Sequence, residues 1–319
     1  MTNHDEAAAV RPSALAWVSG HLEAGERIVG TEALQGGITA EMRRLTIGTR
    51  DGGTHDLVLR TFADPFFVEH AEDLLNREAG ALTLLAGTGV PAPGLVAVDP
   101  AAAHCEYPSL LMTHVAGRTV LDDEGLEARV PLLARQLVAI HALRPAERPR
   151  EFEAWTTADS VVPPNGADAA VWAAATEVIR KPAPPYEGRF LHRDFHPGNV
   201  LFEVPPSPAG FRITGVVDWV ETSWGPTDLD VAHCSTNLAL LHGPAWGPRF
   251  AEAYEEAGGV LAAAASERLY WRLLDGLAFA AAARWVARPW RDAGRSELTT
   301  RAVEERLDAY VTALMDELG

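Results

Sequence analysis

The stretch Phe190-Leu-His-Arg-Asp-Phe-His-Pro-Gly-Asn-Val-Leu-Phe202, followed by Thr214-Gly-Val-Val-Asp-Trp219, sets Asp194, Asn199 and Asp218 between short apolar runs. Pro197-Gly198 is a turn signal, and Val200 to Phe202 and Phe211 to Val217 read as hairpin arms joined through Pro205 to Gly210. Asp194 then precedes one turn, Asn199 follows it, and the returning arm delivers Asp218 at a neighbouring strand end. These side chains can therefore face one point. Phosphoryl transfer requires such a set: a carboxylate near the acceptor hydroxyl, and oxygen ligands for a magnesium ion that neutralises charge on the β and γ phosphates.

Upstream, Arg27 to Leu34 and Glu41 to Ile47 are strand candidates flanking Gln35-Gly36-Gly37-Ile38-Thr39, and Asp51-Gly52-Gly53 leads into Leu57-Val58-Leu59-Arg60. A three-stranded meander is predicted there. Helical spacing covers about Pro12 to Glu23 and Val68 to Ala86, and strands resume at Leu95 to Val98 and Ser109 to Thr113. After Gly117 the pattern is mainly helical: Pro131 to Leu143, Asp168 to Arg180, Leu229 to Leu241, Pro248 to Glu256, Ser266 to Val286 and Leu298 to Leu318. The predicted class is α+β and bilobal, with a small β-rich N-terminal lobe (1–113), a hinge (114–117) and a larger α-helical C-terminal lobe (118–319). Such an arrangement implies an interlobe cleft, where small ligands usually bind.

Composition narrows the function. The 319 residues carry 27 basic and 44 acidic side chains, a net charge of -17, which repels the phosphates of nucleic acid and an anionic membrane face. The same charge favours a cationic acceptor. Asp5 and Glu6 stand where a secretory signal would be basic, and the longest apolar tract, Leu277 to Ala283, is far too short to span a bilayer. Cys105 and Cys234 make no disulfide framework, so a cytoplasmic enzyme is expected. Lys181 is the sole lysine and follows Arg180, which excludes a Walker A loop with its Gly-Lys pair.

His192-x-Asp194 with Asn199 and then Asp218-Trp219 resembles the aminoglycoside phosphotransferase and choline kinase superfamily, itself protein kinase-like. Leu133-Ala-Arg-Gln-Leu-Val-Ala-Ile-His-Ala-Leu143 is similar to that family's helix ending in His-Ala-Leu. The resemblance implies transfer of the γ-phosphate of ATP or GTP to a hydroxyl of a small molecule, with magnesium (Mg2+) as cofactor. By it, Asp194 is the catalytic base or acceptor-orienting residue, Asn199 and Asp218 are metal ligands, His192 shapes the loop, and Asp230 braces it by backbone hydrogen bonds. Gly36 and Gly37 become the loop over the phosphates, where glycine permits close backbone approach. Thr113 and Val115, at the connector, complete the nucleotide-binding set.

Arg60 stands where the family usually places a lysine, and Glu78 where its ion-pair partner belongs. Arginine keeps the charge and offers a planar fork to phosphate and carboxylate together. Related kinases also show Val-Leu-Arg at this point. Arg193 is a second departure, since antibiotic kinases commonly have glycine there. The acceptor is expected to be an aminoglycoside- or macrolide-type antibiotic, or else an amino alcohol or sugar; a non-catalytic nucleotide-binding regulator is the reading from another class. Oligomeric state is not legible.

Other patterns are set aside. His192-x-Asp194-x-His196 could put metal ligands on one strand face, but no further His or Cys cluster with ligand spacing accompanies it. Gly87-x-Gly89-x-x-Ala92 follows a helix and contains Pro91 where a dinucleotide fingerprint would open one. His233 and Cys234 read as packing residues, and Asp275, Glu252 and Glu255 as a solvated helix face.

Overall fold

In the computed structural model, residues 10–34, 39–204 and 210–317 are described. They form two compact units, one of the described residues up to 88 together with 92–115, the other of 89–91 together with the described residues from 116 onward.

The first unit opens with α1 (Pro12–Ser19), whose proline sits at the helix start, where its missing N–H costs nothing. The helix ends at Ser19, capped by Gly20, rather than running on to Glu23. Its Trp17 and Val18 pack against an antiparallel five-stranded sheet of order β1-β2-β3-β5-β4. The strands are β1 (Arg27–Ala33), β2 (Glu41–Gly48), β3 (Thr54–Thr61), β4 (Leu95–Asp99) and β5 (Ser109–Thr113). The meander of the first three is thus extended by β5, which pairs Leu59 with Leu111, and β4 takes the edge. Every β3 residue from Leu57 to Thr61 is buried, which requires cover on both faces as well as neighbours on both edges.

Alternation along β3 then decides where Arg60 points. Leu57 and Leu59 join Trp17, Val18, Leu45 and Ile47 in one core, so Val58 and Arg60 face the opposite side of the sheet. There Arg60 meets Glu78 of α3 (Ala71–Leu85). The single helix predicted from Val68 to Ala86 is two: Asp64 caps a one-turn α2 (Pro65–Val68) by accepting the Phe66 N–H, and α3 starts afresh after His70.

In the second unit, α4 (Leu126–His141) begins a turn earlier than predicted and carries Pro131 inside it. Asp168 caps α5 (Ala169–Arg180) by accepting the Ala170 and Val171 N–H groups. Two small antiparallel pairs follow, β6 (Arg189–Leu191) with β9 (Ser223–Gly225), and β7 (Val200–Glu203) with β8 (Arg212–Val216). The centre is α6 (Thr227–His242), buried at every residue from Asp228 to Leu241. Helices α7 (Trp246–Glu256), α8 (Ala265–Gly276) and α10 (Thr300–Asp316) pack on it. The run predicted from Ser266 to Val286 breaks at Leu277–Ala278 into α8 and α9 (Phe279–Asp292), which lets Phe279, Ala283, Ala287 and Trp290 reach the same core as Leu273 and Leu274. Among the described residues no helix is long and apolar enough to cross a membrane.

Candidate active site

The chain leaves β6 into His192, Arg193 and Asp194, and a carboxylate from α6 holds it there. Asp230 accepts the His192 N–H through Oδ2 (2.9 Å) and the Arg193 N–H through Oδ1 (2.7 Å). His141, at the end of α4, lies 3.0 Å from Oδ2 through Nε2, and its Nδ1 is 2.7 Å from the Tyr254 hydroxyl. Burial works against the Asp230 charge, but the His141 contact outweighs it and holds the carboxyl below its usual range.

Arg193 adopts φ 74°, the left-handed region that costs a side-chain-bearing residue roughly 1–2 kcal/mol. The glycine common at this place in related kinases pays no such penalty. Here the backbone is secured by Asp230, while the buried guanidinium lies 3.8 Å over the Trp155 ring and 3.7 Å from Asp275 Oδ1. Arg193→Ala keeps the strain and removes both anchors. We expect a loss of about 3 kcal/mol in urea unfolding, while Arg193→Gly should lose less because the strain goes too; equal losses would show that the backbone conformation contributes nothing.

Beyond Asp194, His196 Nδ1 accepts the Gly198 N–H (3.0 Å) and shapes a single 3-10 turn over Pro197–Asn199. A Cβ on Gly198 would stand 2.6 Å from His196 Cε1, so a side chain there would have to displace the ring that shapes the turn. Asn199 Nδ2 donates back to the Asp194 carbonyl (2.9 Å) and to its Oδ2 (3.0 Å). The Asn199 carbonyl accepts the Val217 N–H (3.0 Å), which fixes it next to Asp218, another left-handed residue at φ 66°. The second unit thus brings Asp194, Asn199, Asp218, His192 and Asp230 into one hydrogen-bonded neighbourhood.

His192 is fully buried and its Nε2–H donates to the Val217 carbonyl (3.1 Å), so its Nδ1 is left to accept the Asp194 N–H (3.3 Å). Burial pushes it down, and it sits as a neutral brace. The strand ends at Leu191, so His192, Asp194 and His196 are not alternate strand positions.

Two residues set aside in the sequence belong to this site. His233, three residues beyond Asp230 on α6, puts Nε2 3.0 Å from Asp194 Oδ1 and Nδ1 3.0 Å from Asp275 Oδ1. Asp275 is 1% exposed, not on a solvated face, and also accepts the Thr236 hydroxyl (2.9 Å). Glu252 and Glu255 are exposed. Burial opposes a charge on His233, but Asp275 and Asp194 raise it to about 9. Burial likewise opposes the charge of Asp194, whose carboxyl the neighbouring imidazoles of His196 and His233 hold well below its usual range. His196 is pushed down to about 4 by burial, so at neutral pH His233 carries the compensating charge. The signal in the sequence was the Asp230-x-x-His233 spacing, which places both on one helix face.

In the first unit, Arg60 Nη1 donates to both oxygens of Glu78 at 2.8 Å, with both side chains buried. Thr113 Oγ1 accepts the Gly94 N–H (2.7 Å), and Val115, partly buried, is that unit's last residue. Gly36 and Gly37 lie outside the described residues.

An α+β chain with a sheet-bearing first unit and a helical second unit carrying this loop has the protein kinase-like architecture of small-molecule phosphotransferases. Residues 31–271 match the model of the phosphotransferase enzyme family, and the chain belongs to that family. Solved structures share the fold. A Ralstonia eutropha protein assigned to the aminoglycoside phosphotransferases has TM-score 0.61 at 18% identity, over 94% of this chain and 98% of that one. An aminoglycoside phosphotransferase in complex with GDP and kanamycin has TM-score 0.57 at 16% identity, over 88% and 93%. A macrolide 2'-phosphotransferase of Brachybacterium faecium has TM-score 0.55 at 16% identity, over 92% and 97%. No curated protein sequence matches the chain.

Proposed function

We propose that this protein transfers the γ-phosphate of ATP or GTP to a hydroxyl group of a small molecule, with Asp194 facing that hydroxyl. The observation carrying the reading is the paired hold on Asp194: Asn199 on Oδ2 and His233 on Oδ1, beside Asp218. A fixed, ionised carboxylate is what an acceptor hydroxyl needs for orientation. The hydroxyl oxygen forms its bond to the γ-phosphorus as the bond to the β-bridging oxygen breaks, and the hydroxyl proton passes to Asp194.

Asn199 and Asp218 suit magnesium. Asn199 spends its Nδ2 on Asp194, which leaves its amide oxygen to serve as a ligand, and Asp218 adds a carboxylate, a hard-oxygen donor set. When bound there the ion would neutralise charge on the donor's phosphates. Within the first unit, Arg60, secured by Glu78, is the proposed phosphate-contacting residue, and Gly36, Gly37, Thr113 and Val115 are its proposed nucleotide-binding companions. His192 and Asp230 hold the loop.

The relative solved with GDP and kanamycin supports a purine nucleotide donor and an amino-sugar acceptor as the first pair to test. The net charge of -17 favours cationic acceptors, in a cytoplasmic setting away from nucleic acid and membranes. The deciding experiment is a screen of aminoglycosides, macrolides, amino alcohols and sugars with ATP and with GTP, read as a phosphoryl mass increase of the product. Nucleotide binding with no product from any class would replace the transferase by a nucleotide-binding regulator. For the metal, Asp218→Ala is expected to weaken nucleotide binding about tenfold or more in magnesium and to have little effect in EDTA, by calorimetry. Equal affinity of variant and wild type in magnesium would remove Asp218 as a principal ligand.

A further inference from the structure

His233 is 4% exposed on the central helix, yet both of its ring nitrogens are committed to carboxylates: Nε2 to Asp194 Oδ1 and Nδ1 to Asp275 Oδ1, each at 3.0 Å. Aromatic rings set its plane. Trp155 meets it edge-on with centroids 5.1 Å apart, and Phe279 lies 5.5 Å away at 35°. Asn237, one turn on, bonds the His233 carbonyl (3.0 Å) and lies 3.1 Å from Nε2. The anchoring carboxylate is held in turn by the Thr236 hydroxyl at 2.9 Å and faced by Arg193 at 3.7 Å. A residue that only filled space would not need this bracing.

Asp194, His196 and His233 do each offer a ligand atom within 4.8 Å of the others. A transition metal does not suit them as they stand. His196 Nδ1 accepts the Gly198 N–H, which places the ring proton on Nε2, the atom that would have to bind. His233 Nε2 points at an anionic oxygen, where a donated proton is the stabilising arrangement.

We propose that His233 is a positioning residue for phosphoryl transfer: it holds Oδ1 of Asp194, with Asp275 as its anchor, so that the carboxylate meets the acceptor hydroxyl in one orientation. The proposal rests on the transferase reading above. Asn199 alone, on Oδ2, leaves the carboxylate free to rotate about its last bond; a second donor on Oδ1 removes that freedom. Misplacing a reacting group by about 1 Å costs on the order of 100-fold in rate, which sets the size of the effect.

The test uses the full chain with His233→Leu, which removes both donors, and His233→Gln, whose amide can still reach Asp194. MgATP hydrolysis, with water as the hydroxyl acceptor, is followed by ADP release beside Asp194→Asn. We expect His233→Leu to lower kcat about 100-fold with KM for MgATP within about twofold, and His233→Gln to recover most of the loss. A folded His233→Leu chain, melting as the wild type does, that keeps its kcat would overturn the proposal, as would loss of kcat and rise of KM together without recovery by glutamine. Because either variant could fail to fold, imidazole nitrogen NMR of the otherwise wild-type chain gives an independent reading. The His233 Nε2 resonance should move in Asp194→Asn and the Nδ1 resonance in Asp275→Asn; if neither moves, the hold does not exist. Both resonances moving while the wild-type chain yields no phosphorylated product from any acceptor class in the screen above would instead overturn the transferase reading, and the catalytic role with it, while the hold itself stood.

Discussion

Replacing Asp194 with asparagine is expected to lower phosphoryl transfer by about 10²–10⁴-fold while nucleotide affinity stays within about twofold of wild type. The substitution is isosteric, and one oxygen remains to accept from Asn199 or His233, so the loop should keep its shape. What is lost is the negative charge that orients the acceptor hydroxyl and receives its proton. His233 loses one of its flanking anions, so its folded-state pKa should fall from about 9 toward the ordinary value. Its stabilising effect in the wild type is complete below the unfolded value and fades as pH rises through about 9; that alkaline dependence should weaken in the variant. Single-turnover transfer and calorimetric binding of MgATP measure the main claim. A near-normal rate would remove Asp194 from the reaction.

Asp230→Ala should be the most damaging change to stability. It strands the buried His192 and Arg193 N–H groups without their acceptor and leaves His141 without its carboxylate. Breaking a buried charged network by removing one partner costs about 3–5 kcal/mol. Urea unfolding followed by intrinsic tryptophan fluorescence would show it as a fall in midpoint at unchanged slope. Asp230 has a depressed folded-state pKa, so its contribution is present above the unfolded carboxylate value and is lost as pH falls. The gap between wild type and variant should therefore narrow in acid. A loss under about 1 kcal/mol at neutral pH would mean that other groups take over these N–H bonds.

Much of this fold is legible in the sequence. Period-two runs marked β1, β2 and the centre of β3, and helical spacing marked most of the second unit, because each element must present one apolar face to a core. The hairpin that returns from Asn199 to Asp218 was legible too, since a turn and two apolar arms constrain one another locally. Boundaries fared worse: the break at Leu277–Ala278 interrupts a run that stays apolar throughout, and that at Glu69–His70 falls among polar residues that a continuous helix could equally carry.

By itself, then, the sequence determined the class of fold, the absence of a Walker A lysine and the loop that carries Asp194, Asn199 and Asp218, all properties of neighbouring residues or of composition. Tertiary packing was needed to pair β5 with β3, to bury the expected Arg60–Glu78 pair, and to set His233 and Asp275 behind Asp194. His233 lies 39 positions along the chain from Asp194 and 42 from Asp275. A histidine on an apolar helix looks like packing until the helix is placed, because its partners are supplied by other elements. The buried imidazole of His233 stands between the two carboxylates, each ring nitrogen 3.0 Å from an oxygen that a different element supplies.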